Sequence, residues 1–582
     1  MSADVRFTAP SATSAGSLRS LTRIVDRQVR TRARLPAGVV TIAAVVVALF
    51  APSASADEST HGYDNMRSSW DRDESKLSPA LVGASDFGLQ FSATLPAVPG
   101  TTLNKIYAQP IVAAGIVVAA TEENEVVGLD AITGNIKWSK VLGPSWPAAT
   151  VACGDLIPDI GITGTPVYDP ATAAVYVVAK TNDGPDVEHP NYRMHALDLT
   201  TGAEKAGWPV VIAGNPSKGG PAFVPRTANQ RPALTLMGGR VFVAFASHCD
   251  HAPYVGYVGI VSTTTRALSL WSVETGTSTD AGGIWQSGGG PVSDRPGSLL
   301  VATGNGVAPP VGPGAQPPGT LGESVVRLNV SSTGTMTAVD FFSPTNSLKL
   351  NEDDADLGAG GPVALPDSFG TTGHPHLLAI AGKGGQIYLL DRDNLGGMGQ
   401  GPNRTNASLS EATMPNGVWG HPTAFASSDG RNYLYVTPRG SAMQVFTVTP
   451  NGSGVPTLTR VAASSETFGY TSGSPIVTST GGDPNSALVW VMRSENPGDA
   501  NATLYAYDAV PQNGIMHVRY QTNIGPIAKF VQPATDNGRV YVATNNGKVL
   551  SFGRPAALRS PHPRWTSGTS PSTSRARRGR WC

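Results

Sequence analysis

The 582-residue chain has little charge, little cysteine and no long apolar run. Charged residues make up 14 % of it, against about 25 % in an ordinary soluble protein. That shortage excludes a coiled coil and highly charged disorder, and it argues against a helical solenoid. The apolar stretch near the N-terminus, counted generously from Leu35 to Ala51, has 17 residues, at the bottom of the ~17–25 range that spans a bilayer. No Gly-x-Ser-x-Gly, phosphate loop or Rossmann fingerprint is present, so nothing supports a hydrolase nucleophile elbow or a nucleotide site of those kinds. Glycine and proline are plentiful instead, at 67 and 47 residues. At about 150 residues per domain the length alone suggests three or four domains, but so many turns between short apolar runs point to an all-β chain.

The formal net charge of zero is a sum of unlike parts. Residues 1–56 carry seven Arg against Asp4 and Asp26, and residues 554–582 carry seven Arg and no acid. The remaining stretch, 57–553, holds 28 basic and 40 acidic groups, a balance of −12, which argues against nucleic-acid binding. Arg30, Arg32 and Arg34, the apolar segment Ala37–Phe50 and Ala54-Ser55-Ala56 together read as an export signal cleaved after Ala56. With no twin-arginine pair and no cysteine beside the cleavage site, the general secretory route is expected, giving a secreted protein, extracellular or in the cell wall, with no stable membrane span. An uncleaved anchor helix is the alternative, and the basic segment is long enough that translation starting after Met1 is a further one. The tail 554–582 has no Asp, Glu, Lys, Ile or Val. It reads as disordered, either a polybasic surface-binding tail or the product of a shifted reading frame in GC-rich DNA.

Between these ends one pattern recurs. A small or polar pair leads into proline and then an apolar run at Pro110, Pro166, Pro232, Pro291, Pro362, Pro422, Pro475 and Pro533, with spacings of 56, 66, 59, 71, 60, 53 and 58 residues. After each comes a second β-rich run: Ile116–Ala120, Val175–Ala179, Val241–Ala246, Leu299–Thr303, Leu377–Ala381, Tyr433–Thr437, Leu488–Met492 and Val540–Thr544. A third apolar run follows, often with a turn that ends on an aromatic residue. The clearest copies are Gly128-Leu-Asp-Ala-Ile-Thr-Gly-Asn-Ile-Lys-Trp138 and Ala196-Leu-Asp-Leu-Thr-Thr-Gly-Ala-Glu-Lys-Ala-Gly-Trp208. Each unit reads as four short antiparallel strands. A single four-stranded sheet cannot bury both faces, and stacking around an axis solves this. Proline suits the start of the innermost strand, whose inner edge faces the channel. The expectation is an all-β, eight-bladed β-propeller over 86–553, preceded by an N-terminal lead-in at 57–85. Gly88–Ala93 would complete the last blade, which stops one strand short at Val549–Phe552.

The Leu-Asp-x-x-Thr-Gly…Trp turn resembles the repeat of the pyrroloquinoline-quinone (PQQ)-type propellers. Gly62-Tyr63-Asp64…Leu77-Ser78-Pro79 is similar to the start of the quinoprotein alcohol dehydrogenases. The resemblance covers about 57–553 and implies a secreted bacterial member. It further implies that Asn305, in Ala302-Thr-Gly-Asn-Gly, matches a calcium-ligating Asn. Lys383, in Lys383-Gly-Gly-Gln-Ile-Tyr-Leu-Leu-Asp391, matches a basic residue that contacts the quinone, and Trp285 matches an aromatic floor beneath it. A flat, anionic, tricyclic cofactor needs a ring to stack on, a cation for its carboxylates or carbonyl, and a hard cation with oxygen ligands. The structural alternatives are a turn former for Asn305, a salt-bridged blade residue for Lys383 and interblade packing for Trp285. The chain also departs from those enzymes. They stack the quinone on a disulfide between adjacent cysteines, and no adjacent pair exists here. Their catalytic Asp lies in a Pro-Gly-Asp-Asn stretch, where Thr320–Arg327 offers only Glu323. No acidic calcium ligand stands out. The alternating carboxylates Asp354 and Asp356 join Asn305 as the candidate metal set, although that acidic run lacks the glycine and terminal glutamate of an EF-hand loop.

Of three cysteines, Cys582 belongs to the tail. Cys153 falls in the loop leading into the second blade, and Cys249 falls between the second and third strands of the third. Both connections emerge on one face of a propeller in neighbouring blades, so a Cys153–Cys249 disulfide is expected in an exported protein. A metal site from His248, Cys249, Asp250 and His251 is the competing reading. The same face should carry Asp155, Asp159, Asp353, Asp354, Asp356, Trp419, His421 and Lys529 around a funnel. Two functions fit this pattern. The leading one is a monomeric, non-catalytic module binding a protein, glycan or small molecule on its funnel face, motivated by the missing cysteine pair and base. The other is a PQQ- and calcium-dependent dehydrogenase oxidising an alcohol or polymer hydroxyl through Trp285, Asn305 and Lys383.

Overall fold

Eight β-sheets succeed one another along the chain in the computed structural model, which describes residues 58–555 apart from 102–103, 278–279 and 313. The expected export signal, Cys582 and all of the tail beyond Pro555 lie outside these residues. Blade 1 is typical: Ile111–Ala113, Ile116–Ala120, Glu125–Asp130 and Ile136–Val141 pair antiparallel in sequence order. The ring closes as expected, because Gly88–Thr94 pairs antiparallel with Lys548–Gly553 as the outer strand of blade 8. In blade 7 the lead-in strand Trp70–Asp71 runs parallel to the innermost strand Ile476–Thr478.

The apolar core is divided into eight clusters, seven of them between two neighbouring blades and the eighth, between blades 7 and 8, extended by residues from 146–160 in the approach to blade 2. Strand Ala174–Thr181 of blade 2 shows why. Its Val175, Val177 and Ala179 pack toward blade 1, while Tyr176 and Val178 pack toward blade 3. Side chains alternate across a strand, so a sheet buried on both faces needs apolar residues at successive positions rather than at every second one. The Asp-x-x-Thr-Gly turns close on themselves: Asp130 Oδ1 accepts from the Ile132 and Thr133 N–H groups at 3.1 and 2.9 Å. Trp138, which follows, crosses to the next blade, where its Nε1 donates to Leu199 O at 2.8 Å.

The lead-in does more than introduce the ring. In seven blades the residue two after the repeat proline donates its backbone N–H inward to this segment. Val112, Tyr168, Ser293, Ala364, Ala424 and Val477 donate to the carbonyls of Glu58, Ser59, Asn65, Met66, Ser68 and Ser69 at 2.8–3.0 Å. Thr535 donates to Glu58 Oε2 at 3.0 Å. In blade 3 the equivalent Leu234 offers its carbonyl, which accepts from Arg67 Nη2 at 2.8 Å. The inner strand edges are therefore occupied rather than open to a channel. The proline, which has no N–H to satisfy, suits the inward-facing position two residues before the one that binds the strap.

Burial of the strap pushes the Glu58 and Glu74 carboxyls upward and the Asp71 carboxyl up to about 8. Free carboxyls titrate near 4, so the folded chain holds protons there that the unfolded chain has released. This contribution to stability is complete below about pH 4 and is lost as pH rises through 8. Unfolding free energy should fall between pH 5 and 8. Asp71→Asn should make that fall shallower by about 1 kcal/mol per pH unit. Urea titrations at several pH values test this, and parallel slopes for the two proteins would refute it.

Candidate functional site

The loops that precede the inner strands of blades 2–8 converge over the strap on a cavity of about 220 Å³. Blade by blade they supply Asp155, Asn229 with Arg231, Trp285, Asp354 with Asp356, Trp419, Tyr470, and Lys529 with Phe530. Two second-to-third strand connections add Cys249 with Asp250, and Lys383. A second, more open chamber of about 430 Å³ adjoins it and shares Asp354, Lys383, Trp419 and Tyr470.

Lys383 is the electrostatic centre. Its Nζ lies 2.5 Å from Asp356 Oδ2 and 3.0 Å from Asp354 Oδ1. Burial alone would lower the lysine's pKa, but the two carboxylates outweigh it and raise it. Asp356 is almost wholly buried. Burial raises its pKa and Lys383 opposes that rise. Asn305 ties the pair together, donating its N–H to Asp356 Oδ1 at 2.7 Å and Nδ2 to Asp354 Oδ1 at 2.8 Å. Gly304 is required here, since a Cβ on it would fall 1.9 Å from Asp356 Oδ1 and 3.0 Å from the Trp285 ring. Behind Asp356 sits Glu323, whose Oε2 accepts from the Leu357 N–H at 2.6 Å. Burial, with Asp356 nearby, pushes Glu323 up to about 8. Four buried polar atoms here have no protein partner: Trp285 Nε1, Asn305 Oδ1, Asn229 Oδ1 and Glu323 Oε1.

Cys153 and Cys249 form the expected disulfide, with Cα atoms 5.7 Å apart. The metal reading of His248, Cys249, Asp250 and His251 falls with it. Cys249 is oxidised, Asp250 accepts from Tyr254 Oη, and His248 is buried against Lys180. Among the described residues the one acid, Cys and His cluster with metal-ligand spacing is Cys153, Asp155 and Cys249, and its sulfurs are committed to each other. Lys180 braces this wall from beneath. Its Nζ donates to Arg226 O and Ala228 O at 3.0 and 3.2 Å, meets His248 Nε2 at 3.0 Å and lies 4.0 Å from the Trp146 ring centroid.

The candidates therefore sort clearly. Trp285, Lys383, Asp354 and Asp356 line one cavity, Asn305 hydrogen-bonds two of them, and Asp155, Trp419 and Lys529 join them. Asp353 faces the outer chamber only, and Asp159 accepts from Ser145 Oγ instead. His421 lies deeper on the axis, with its Nε2 3.3 Å from that of His61. Asn229, Arg231, Tyr470 and Phe530 were not among the sequence candidates. Each stands one to five residues before a repeat proline, so the register of the repeat would have found them.

No protein-family profile matches the chain, and no curated protein matches it in sequence. Solved structures do match in shape. A quinohemoprotein alcohol dehydrogenase from Comamonas testosteroni aligns with TM-score 0.58 at 16 % identity, over 87 % of this chain and 82 % of that one. Quinohemoprotein alcohol dehydrogenase ADHIIG from Pseudomonas putida HK5 gives 0.57 at 15 %, over 89 % and 83 %. A europium-containing methanol dehydrogenase gives 0.57 at 15 %, over 86 % and 98 %. The chain shares the eight-bladed propeller fold of these dehydrogenases. At such identity the likeness concerns the fold, and the chemistry of this propeller has to be argued from its own residues.

If Lys383 neutralises a buried charge, Lys383→Gln should cost about 3 kcal/mol by leaving Asp356 unpaired. Lys383→Gln combined with Asp356→Asn should recover most of that loss. A double-mutant cycle in urea measures the coupling, and additive losses would show that the pair is energetically idle.

Proposed function

We propose that the protein is an exported, PQQ-dependent dehydrogenase that oxidises a hydroxyl group in the cavity around Lys383. One observation carries this reading: Trp285, from the approach to blade 4, and Asp354, Asp356 and Lys383, from two connections of blade 5, share a single cavity with a disulfide wall. The missing adjacent-cysteine pair argues for a non-catalytic module. The Cys153–Cys249 bridge answers part of that objection, because two distant cysteines bring a disulfide to the same cavity as Trp285.

The residues fit the quinone. Trp285 offers a ring and an unpartnered Nε1, while Arg231, Lys383 and Lys529 supply cations for carboxylates. For calcium, Asn305 Oδ1 is buried without a partner and Asp354 is a hard oxygen donor, so these two would hold it. Asp356 would stay with Lys383. When bound, the quinone would accept the two electrons of the oxidation and calcium would act as a Lewis acid.

The chain's own residues then have distinct tasks. Asp356, beside Lys383, would accept the proton of a substrate hydroxyl. Asn305 and Gly304 hold that carboxylate in position. Glu323, behind it, is pushed up to about 8 and so carries its own proton at neutral pH. Export, with cleavage after Ala56, suits the disulfide. Among the described residues, no helix is long and apolar enough to cross a membrane.

A second reading keeps the same cavity as a ligand-binding pocket of a monomeric, non-catalytic module. Lys383 already satisfies both carboxylates without a cofactor, which favours it. Adding PQQ and Ca²⁺ to the purified protein and following dye reduction with a panel of alcohols separates the two. The dehydrogenase reading expects stoichiometric quinone binding and turnover, with Asp356→Asn lowering turnover at least a hundredfold. Absence of quinone binding at high concentration would leave only the binding module.

A further inference from the structure

The outer chamber carries a charge that nothing in the fold explains. Its acids are already paired: Asp353 with Lys349, and Asp354 with Lys383. In the inner cavity Asp155 is paired with Lys529 at 2.7 Å. Arg439 differs. Its guanidinium lies 5.6 Å from the ring centroid of Trp419 and 5.4 Å from that of Tyr470. Among the described residues no carboxylate forms an ion pair with it. Trp419 and Tyr470 meet edge to face at 5.4 Å, and Tyr470 meets Phe530 in the same way at 5.6 Å, so the surface beneath the cation is rigid and aromatic. The propeller region around this cation has a net charge of −12. Such a chain could readily place an acid beside Arg439, and it leaves the guanidinium facing the opening instead.

From this geometry we infer that the outer chamber is an anion subsite, in which Arg439 over Trp419 and Tyr470 takes the carboxylate of a polyhydroxylated acid. A planar guanidinium fixed on aromatic rings offers a carboxylate two parallel donors with little loss of side-chain freedom. The exposed face of Trp419 suits the C–H face of a sugar-like chain. Because this chamber shares Lys383 and Asp354 with the inner cavity, a ligand anchored at Arg439 has its hydroxyl end directed toward Asp356. That last step rests on the dehydrogenase reading, whereas the anion subsite does not. The ligand class is a hydroxylated carboxylate, either a free sugar acid or the acidic end of a uronate polymer.

The test is isothermal titration of the intact, quinone-free protein with gluconate and with glucitol, which has the same polyol chain and no carboxylate. Gluconate should bind at least about fivefold more tightly, with the difference shrinking as salt is raised. Arg439→Gln should abolish the preference, and Arg439→Lys should keep part of it, with both variants unfolding at the wild-type temperature. Trigalacturonate binding more tightly than gluconate, and losing that affinity in Arg439→Gln, would support the subsite and identify the polymer end as its source. Equal affinity for gluconate and glucitol, or a gluconate affinity unmoved by Arg439→Gln, would overturn the proposal. Dye reduction by the quinone-loaded protein is scored separately. Gluconate that binds through Arg439 without being oxidised would retain the subsite and count against the dehydrogenase.

Discussion

The inward-facing backbone of eight innermost strands sets the conditions for the rest of this molecule. Each blade of a propeller has two strand edges, one at the rim and one at the axis, and the inner one presents unpaired N–H groups to a narrow channel. Here the chain answers with its own N-terminal segment. From Glu58 to Ser69 it offers carbonyls in turn to successive blades, and Arg67 closes the circuit where blade 3 presents a carbonyl instead. Arg67 is buried with five hydrogen bonds to oxygen, and burial brings its pKa down to about 10. A guanidinium in that position is tolerable only because its donors are all used.

One register then organises the whole axis. Two residues after each repeat proline, the strand binds the strap. At the residue before the proline, Gln109, Thr165, Arg231, His421, Ser474 and Gln532 form a polar layer with His61. A few residues earlier still, the loops open into the cavity. The same periodicity that closes the ring therefore delivers one or two side chains per blade to a common point. Glycine occupies the adjoining position, two residues before the proline, where neighbouring blades come close: a Cβ on Gly360 would fall 1.7 Å from Gly420 O.

The fold was largely legible in the sequence because its signals are local. The repeat prolines, the Asp-x-x-Thr-Gly turns and the continuous apolar runs each report on a few neighbouring residues, and each fell on the strand or turn expected. Trp285 and Lys383 could be nominated by resemblance, and the cysteines could be paired from blade topology alone. What the sequence concealed was non-local. Nothing around Asp64 or Met66 announces that the segment visits every blade, since its bonds use backbone groups that any residue carries. Lys180 reads as an ordinary strand residue until its strand is set beneath Ala228 and His248. Asp354 and Asp356 look like a solvated turn until Lys383, from the next connection of the same blade, is placed between them.

The two cysteines show how a disulfide can reach a cavity without an adjacent pair. Stacking a flat cofactor requires a rigid, polarisable wall, and adjacent cysteines are one way of building it within a single loop. A bridge between neighbouring blades, 96 residues apart in sequence, can present sulfur to the same cavity. It also holds together two loops that would otherwise move independently. Such a bridge needs a firmer base than a vicinal pair, because its ends belong to different sheets. Lys180 supplies one by joining blade 2 to both the approach and the turn of blade 3. Burial pushes its amine well below the ordinary lysine range, toward the neutral form. The brace therefore holds by hydrogen bonds and aromatic contact.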